Sequence, residues 1–273
     1  SELIAIFNSS CNNKPANMAS FLFGLKDNSI AKKAKVNDKK IDFSHILQDD
    51  EKFKIVFILF YTAIIYHIAQ IVKAKGLDVP RHISFSGNGS KVIRIITPDA
   101  KLLARYTKLV FESILDKPYG KELDILGMEK DYNPKEATCK GGLVGVETDS
   151  VKDMIVLKSD CSGFVTPSDT YDSITDEYKS MTIQTVKKFF DFTLKEMNSK
   201  FNFDKNFGVD FNSLKIALEV SKNDLDTYLD KGIAQRREEV EGTDIIEETL
   251  FFYPIKGVLN AISQEIYQSL QNE

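Results

Sequence analysis

The sequence predicts an α/β layer followed by a mostly helical region. Three observations carry this expectation. A long apolar helix over residues 53–75 leads into a short apolar run at residues 83–85. A Gly-rich loop, Ser86-Gly87-Asn88-Gly89-Ser90, separates that run from an amphipathic helix. A second strand-like run follows at residues 123–128, and past about residue 150 the apolar spacing becomes helical. The expected organisation is therefore an N-terminal segment at residues 1–52, an α/β portion at 53–150 and a helical region at 151–273.

Each element has a local reason. Residues 8–52 are polar and poorly periodic, with Asn12-Asn13-Lys14-Pro15 as a turn signal and residues 18–25 as a short apolar exception. The helix over 53–75 is closed by Gly76, in the position where a left-handed cap is common. Val79-Pro80-Arg81-His82 then leads into the first strand. After the Gly-rich loop and the brief apolar turn at residues 92–96, Thr97 is placed to cap a helix with Pro98 at its first position. Leu102, Leu103, Tyr106, Leu109, Val110 and Ile114 form one face of that helix. Asn133-Pro134-Lys135-Glu136 combines a capping Asn, Pro at the first helical position and a Glu that reaches back, and starts a small-residue helix ending at Gly141-Gly142.

Residues 154–157 read as a further strand. Beyond them, Met181, Ile183, Val186, Phe189, Phe190, Leu194 and Met197 make one stripe and Val258, Leu259, Ile262, Ile266 and Leu270 another that starts at Pro254, with residues 214–228 helical between them and 235–241 a solvated charged run. The Phe-rich stretches near Phe189, Phe201 and Phe251 read as core, with a partner-binding groove as the minority alternative. No internal repeat and no low-complexity tract is apparent.

Bulk composition narrows the function classes. With 36 basic against 40 acidic residues, a net charge of -4 and no basic block, nucleic acid is not an expected partner. The three cysteines, Cys11, Cys139 and Cys161, have no metal-type spacing and no disulfide framework, which fits a reducing, cytoplasmic setting. No Asp, Glu, Lys or Arg lies between Lys54 and Lys73, so this stretch approaches the length of a membrane span. His67, Gln70, Tyr61, Thr62 and Tyr66 inside it favour a core helix instead. The abrupt start on Ser1-Glu2-Leu3, without Met, reads as an excised piece of a longer protein.

The Gly-rich loop is the main chemical signal. Glycines between a strand and a helix let backbone approach a ligand, and amides at the helix start offer donors. The loop is neither GxxxxGK[ST] nor GxGxxG. The order long helix, strand, Gly-rich loop, helix, Gly120-Lys121-Glu122, strand and Asn133-Pro134-x-Glu136-Ala137 helix resembles the closing part of the actin and heat-shock-chaperone ATPase superfamily, the heat-shock chaperones in particular. The resemblance covers residues 53–147 and implies the second-lobe portion of an actin-like, ribonuclease H-like fold. It also implies that Ser86, Gly87, Asn88 and Gly89 belong to the loop under the adenosine, with Ser90 and Lys91 beside or over the adenine. Asn88 departs from the usual Gly, which leaves open either a hydrogen bond to the nucleoside or a narrowed pocket.

By this resemblance the cofactor would be ATP, with Mg in the full-length parent, and the natural partners would be ATP or ADP and the missing N-terminal lobe. The family's phosphate loops and Mg-positioning carboxylates are not recognisable, so the piece alone is expected to turn over no ATP. Asp160-Cys161-Ser162-Gly163 falls in the wrong order for a phosphate loop and reads as a turn. His45, His67 and His82 are widely spaced and no HExxH occurs, so no metal site is expected. No G-x-S-x-G elbow occurs either. The alternative function is a non-catalytic interaction or scaffold module that keeps the actin-like fold and engages a protein partner through its C-terminal helices.

Overall fold

A computed structural model of the chain describes residues 43–85, 88–128, 170–239 and 249–271, together with residues 9, 21 and 22. In chain order the principal elements are α1 (Phe43–Gln48), α2 (Glu51–Ala74), β1 (His82–Ser84), a 3-10 turn (Asn88–Val92), α3 (Ile93–Ile96), α4 (Ala100–Leu115) and β2 (Asp124–Leu126). A 3-10 turn (Tyr171–Ser173) precedes α5 (Asp176–Asp191), which continues through a π-helical stretch (Phe192–Met197) into Asn198–Phe201. Then come α6 (Phe203–Phe207), α7 (Phe211–Ser221), α8 (Leu225–Glu239) and α9 (Phe252–Gln271). The chain divides into two compact units, residues 1–50, 82–103 and 123–154 in one and 51–81, 104–122 and 155–273 in the other.

The expected α/β lobe of actin-like, ribonuclease H-like type is overturned. The described residues are 77% helix and 4% strand, with a single two-stranded sheet among them. The two strand-like runs do pair, in parallel, with Ile83 opposite Ile125. Each strand is only three residues long, however, and Ile125 is the one buried residue in the pair. A parallel sheet at the centre of an α/β lobe needs apolar strands covered on both faces. Here His82, Ser84 and Asp124 are exposed and Leu126 is 41% exposed, so the pair cannot organise helices on two sides. The expected strand at 154–157, the helix at Asn133 and all three cysteines lie outside the described residues.

In the first unit, α1 packs against α3, and the Gln48 side-chain amide donates to the Arg94 carbonyl at 2.6 Å. Ile93, Ile95 and Ile96 are buried. The start of α4 differs from expectation by two residues. Thr97 Oγ1 accepts from the Asp99 amide at 3.1 Å, and Asp99 Oδ1 in turn accepts from the amides of Lys101 and Leu102 at 2.9 and 3.2 Å. The carboxylate of Asp99, two residues nearer the helix, thus takes the capping role expected of Thr97.

The second unit is built around α2. Ile58, Leu59, Ala63, Ile65 and Ala69 are at most 2% exposed, and the helix ends as expected at Gly76, whose φ is +62°. The Leu77 amide donates to the Val72 carbonyl and the Gly76 amide to the Lys73 carbonyl, the paired bonds of a left-handed helix stop. Although α2 is long and apolar enough to cross a membrane, 67% of its apolar window is buried in this fold. Tyr66 of α2 gathers Phe189, Phe192 and Phe251 at 5.3, 5.1 and 6.1 Å. Tyr106 of α4 gathers Phe201, Phe203 and Phe207 at 4.8, 5.8 and 5.3 Å. The Phe-rich stretches are therefore mostly core.

Two hydroxyl pairs lie inside this core. Tyr61 Oη lies 2.6 Å from Thr107 Oγ1, and burial pushes the Tyr61 and Tyr106 phenols well above their ordinary range. Thr62 Oγ1 donates to the Ile58 carbonyl and lies 2.6 Å from Tyr106 Oη. Because the single Thr62 proton is committed to Ile58, Tyr106 is the donor in the second bond.

Candidate functional site

The loop singled out in the sequence is partly described. Ser86 and Gly87 lie outside the described residues, whereas Asn88, Gly89, Ser90 and Lys91 run as a 3-10 turn into α3. Ser90 and Lys91, which the resemblance places beside an adenine, are buried at 7% and 8% exposure. The adenosine-side role of this loop was an inference from the actin-like lobe. With that lobe replaced by a helical fold, the role has no structural frame to rest on.

A concave feature of the second unit lies elsewhere, between α8 and α9. It is a groove of about 830 Å³, with Phe60 of α2 also at its wall. Two contacts make it. Tyr228 of α8 lies over Gly257 of α9 so closely that a Cβ built on Gly257 would sit 2.3 Å from Tyr228 Cγ. Tyr253 of α9 lies over Gly232 of α8, where a Cβ would sit 2.9 Å from Tyr253 Cγ. The later residue of one helix thus meets the earlier residue of the other, so the helices are antiparallel and related locally by a two-fold axis between the two contacts. Ile233 and Val258, each next to its glycine, are buried at 5% and 1% exposure and continue the core beneath the seam.

The groove is polar above this seam. Lys231 and Gln235 line it from α8, and Lys256 and Asn260 from α9, all four of them exposed. Three cations, Lys231, Arg236 and Lys256, face a single carboxylate, that of Glu239. Glu239 is already engaged, by Arg236 Nη1 at 3.0 Å and Gln235 Nε2 at 3.1 Å, and these bonds hold its carboxyl below the usual range. Lys256 adds a weaker electrostatic pull on the same carboxylate. Burial, followed by the nearby Asp224 and Glu265 carboxylates, raises the Tyr228 phenol above its ordinary value. Tyr253 Oη lies 3.1 Å from Tyr171 Oη.

Below the groove, His67 of α2 stacks on Phe251 at 5.7 Å and meets the edge of Phe252 at 5.3 Å. Burial in this aromatic setting pushes its pKa down from 6.5 to about 4, so the ring is neutral at physiological pH. Among the described residues, no group of three or more His, Cys, Asp or Glu side chains is placed to hold a metal ion.

A signal for this site was present in the sequence and was missed. Leu225-x-x-Tyr228-x-x-Lys231-Gly232-Ile233-x-Gln235 recurs as Leu250-x-x-Tyr253-x-x-Lys256-Gly257-Val258-x-Asn260. The repeat is too short to stand out as a domain-scale duplication. It nevertheless contains, in equivalent positions, the ring, the glycine beneath the opposite ring, the lysine and the carboxamide of each wall. No family model matches the chain, and no curated protein and no solved structure matches it either.

Proposed function

We propose that this chain is a non-catalytic protein-interaction module that engages a partner through the groove between α8 and α9. The observation that carries this reading is the duplicated Tyr-x-x-Lys-Gly motif, which lines one open groove with two half-buried tyrosines, two exposed lysines and two exposed carboxamides. Aromatic surface with a polar tip supplies contact area at low conformational cost, and it is enriched where proteins meet. Phe60 adds to this. It is 39% exposed and belongs to the groove wall, although it sits on the most apolar helix of the fold.

The test is site-specific photo-crosslinking in extract of the source cells. A photoreactive residue at Gln235 is expected to give a discrete protein adduct that disappears when Asn260→Trp fills the opposite wall. The same residue at Lys187, exposed on α5, is expected to give no such adduct. An identical adduct pattern from both positions, or one untouched by Asn260→Trp, removes the groove from consideration.

A further inference from the structure

The charge and register of the groove specify the chemistry of its occupant, and this step rests on the reading of the groove as a docking site. Since Tyr228 is level with Gly257 and Gly232 with Tyr253, Lys231 and Lys256 attach to their helices only two residues apart along the seam. At 1.5 Å rise per residue that is about 3 Å of axial offset. The two lysines therefore attach at nearly the same level near the middle of the groove, one on each wall. Gln235 and Asn260 stand ten residue-levels apart towards its two ends, about 15 Å.

Lys231 and Lys256 leave this part of the groove with an excess of positive charge, because the carboxylate lining it, Glu239, is held by Arg236 and Gln235 and feels Lys256 more weakly. An anion seated between the two walls would be attracted from both sides. The carboxamides at the ends suit uncharged polar groups, and the tyrosine rings suit apolar stems. The wall from Tyr228 to Glu239 is about 16 Å long at the helical rise, the length of about three turns. A groove between two helices that is long, apolar at its base and charged at its centre is the setting in which an amphipathic helix docks.

We infer that the partner of this groove is an acidic amphipathic helix of about three turns, whose central carboxylates lie between Lys231 and Lys256.

The experiment uses the full chain, isotope-labelled, and follows the amide signals of Gly232 and Gly257 during titration with three synthetic peptides. The peptides share one leucine stripe and carry Glu, Gln or Lys at every polar position. The expected result is that only the Glu peptide moves both glycine signals. Each of Lys231→Glu and Lys256→Glu should weaken it about 5-fold, and the pair together more than either alone but short of the product, because both lysines act on the same acidic segment. Ile216→Asp, on the exposed face of α7, should leave binding unchanged. If the Gln or Lys peptide shifts Gly232 and Gly257 as strongly as the Glu peptide, the groove is a docking site but the acidic assignment is wrong. If no peptide moves these signals, both the acidic assignment and the docking reading fall. If the Glu peptide binds but neither lysine reversal weakens it, its carboxylates sit elsewhere and the inference is overturned.

Discussion

Gly257→Ala isolates the contact on which the groove depends. Alanine is the better helix former by about 1 kcal/mol, so in an exposed helix this change would stabilise the protein. Here the new Cβ would lie 2.3 Å from Tyr228 Cγ and 2.4 Å from Tyr228 Cβ. Carbon atoms prefer about 3.5–4.0 Å. The clashing atoms are the root of the tyrosine side chain and cannot swing away, so relief requires α8 and α9 to separate by an ångström or more. Overpacking of this kind costs about 1–3 kcal/mol, and the upper end applies because separation loosens the whole seam. After the propensity gain, the net loss expected is about 2 kcal/mol. With no Trp in the chain, urea unfolding followed by helical circular dichroism is the direct assay. In a Tyr228→Gly background the clash is gone, and Gly257→Ala should then stabilise, giving a coupling of about 3 kcal/mol between the two sites. Equal effects in the two backgrounds, or stabilisation in the unaltered protein, would refute the close approach.

Three further outcomes follow from the same packing. Gly232→Ala, whose Cβ would meet Tyr253 at the milder distance of 2.9 Å, should cost less than Gly257→Ala; the reverse order in the same urea assay would contradict the asymmetry of the seam. For His67, the folded pKa of about 4 lies below the ordinary 6.5, so the unfolded chain binds the extra proton between these values and stability is lost as pH falls through that window. The full loss is about 3 kcal/mol below pH 4, and His67→Leu should flatten that part of the profile; an unchanged slope would show that His67 does not titrate this way. Tyr106→Phe removes the donor to Thr62 while leaving the Thr62 bond to Ile58 intact, and should cost about 1 kcal/mol in urea unfolding, whereas a neutral result would mean that this bond contributes nothing net.

Much of the local structure was legible and the architecture was not. The stop at Gly76, the amphipathic face of α4 and the stripes of α5 and α9 all follow from spacing and cap chemistry, which act within one or two turns. The pairing of β1 with β2 was also anticipated by their apolar runs. What misled was treating a pair of short runs as part of a larger sheet. Ile83 and Ile125 satisfy a strand pattern whether two strands or six are present, and only burial on both faces separates the cases. The candidate groove was hidden for a different reason. Gly232 and Gly257 sit inside helices, where glycine reads as a weak helix former, and its value as a place for a ring from another helix is invisible until the partner is known. Comparing the surroundings of the two glycines would have found the matched Tyr and Lys, because the same neighbours at the same spacing are needed on both helices for a reciprocal contact.

That reciprocity also explains why the lysines can be held together at all. Sliding α9 along α8 would lift Tyr228 from Gly257 and Tyr253 from Gly232 in the same movement, since one two-fold axis relates the contacts. Each ring would then ride onto a residue that carries a side chain, and the helices would have to part. The two contacts therefore act as a register lock whose resistance comes from steric overlap, which changes steeply with distance. The repulsion between Lys231 and Lys256 is a gentler force. Exposed charges in water at about 4 Å interact with only about 1 kcal/mol, less than the overlap of a single misplaced ring. The seam can therefore keep two cations at nearly the same level with Glu239 as the one carboxylate lining the groove, which leaves net positive charge available to a partner. The buried Ile233 and Val258 beneath the glycines secure the same register from the core side. Core packing and groove charge are thus set by one short motif used twice, in which the glycine fixes the spacing and the lysine three residues after each tyrosine exploits it.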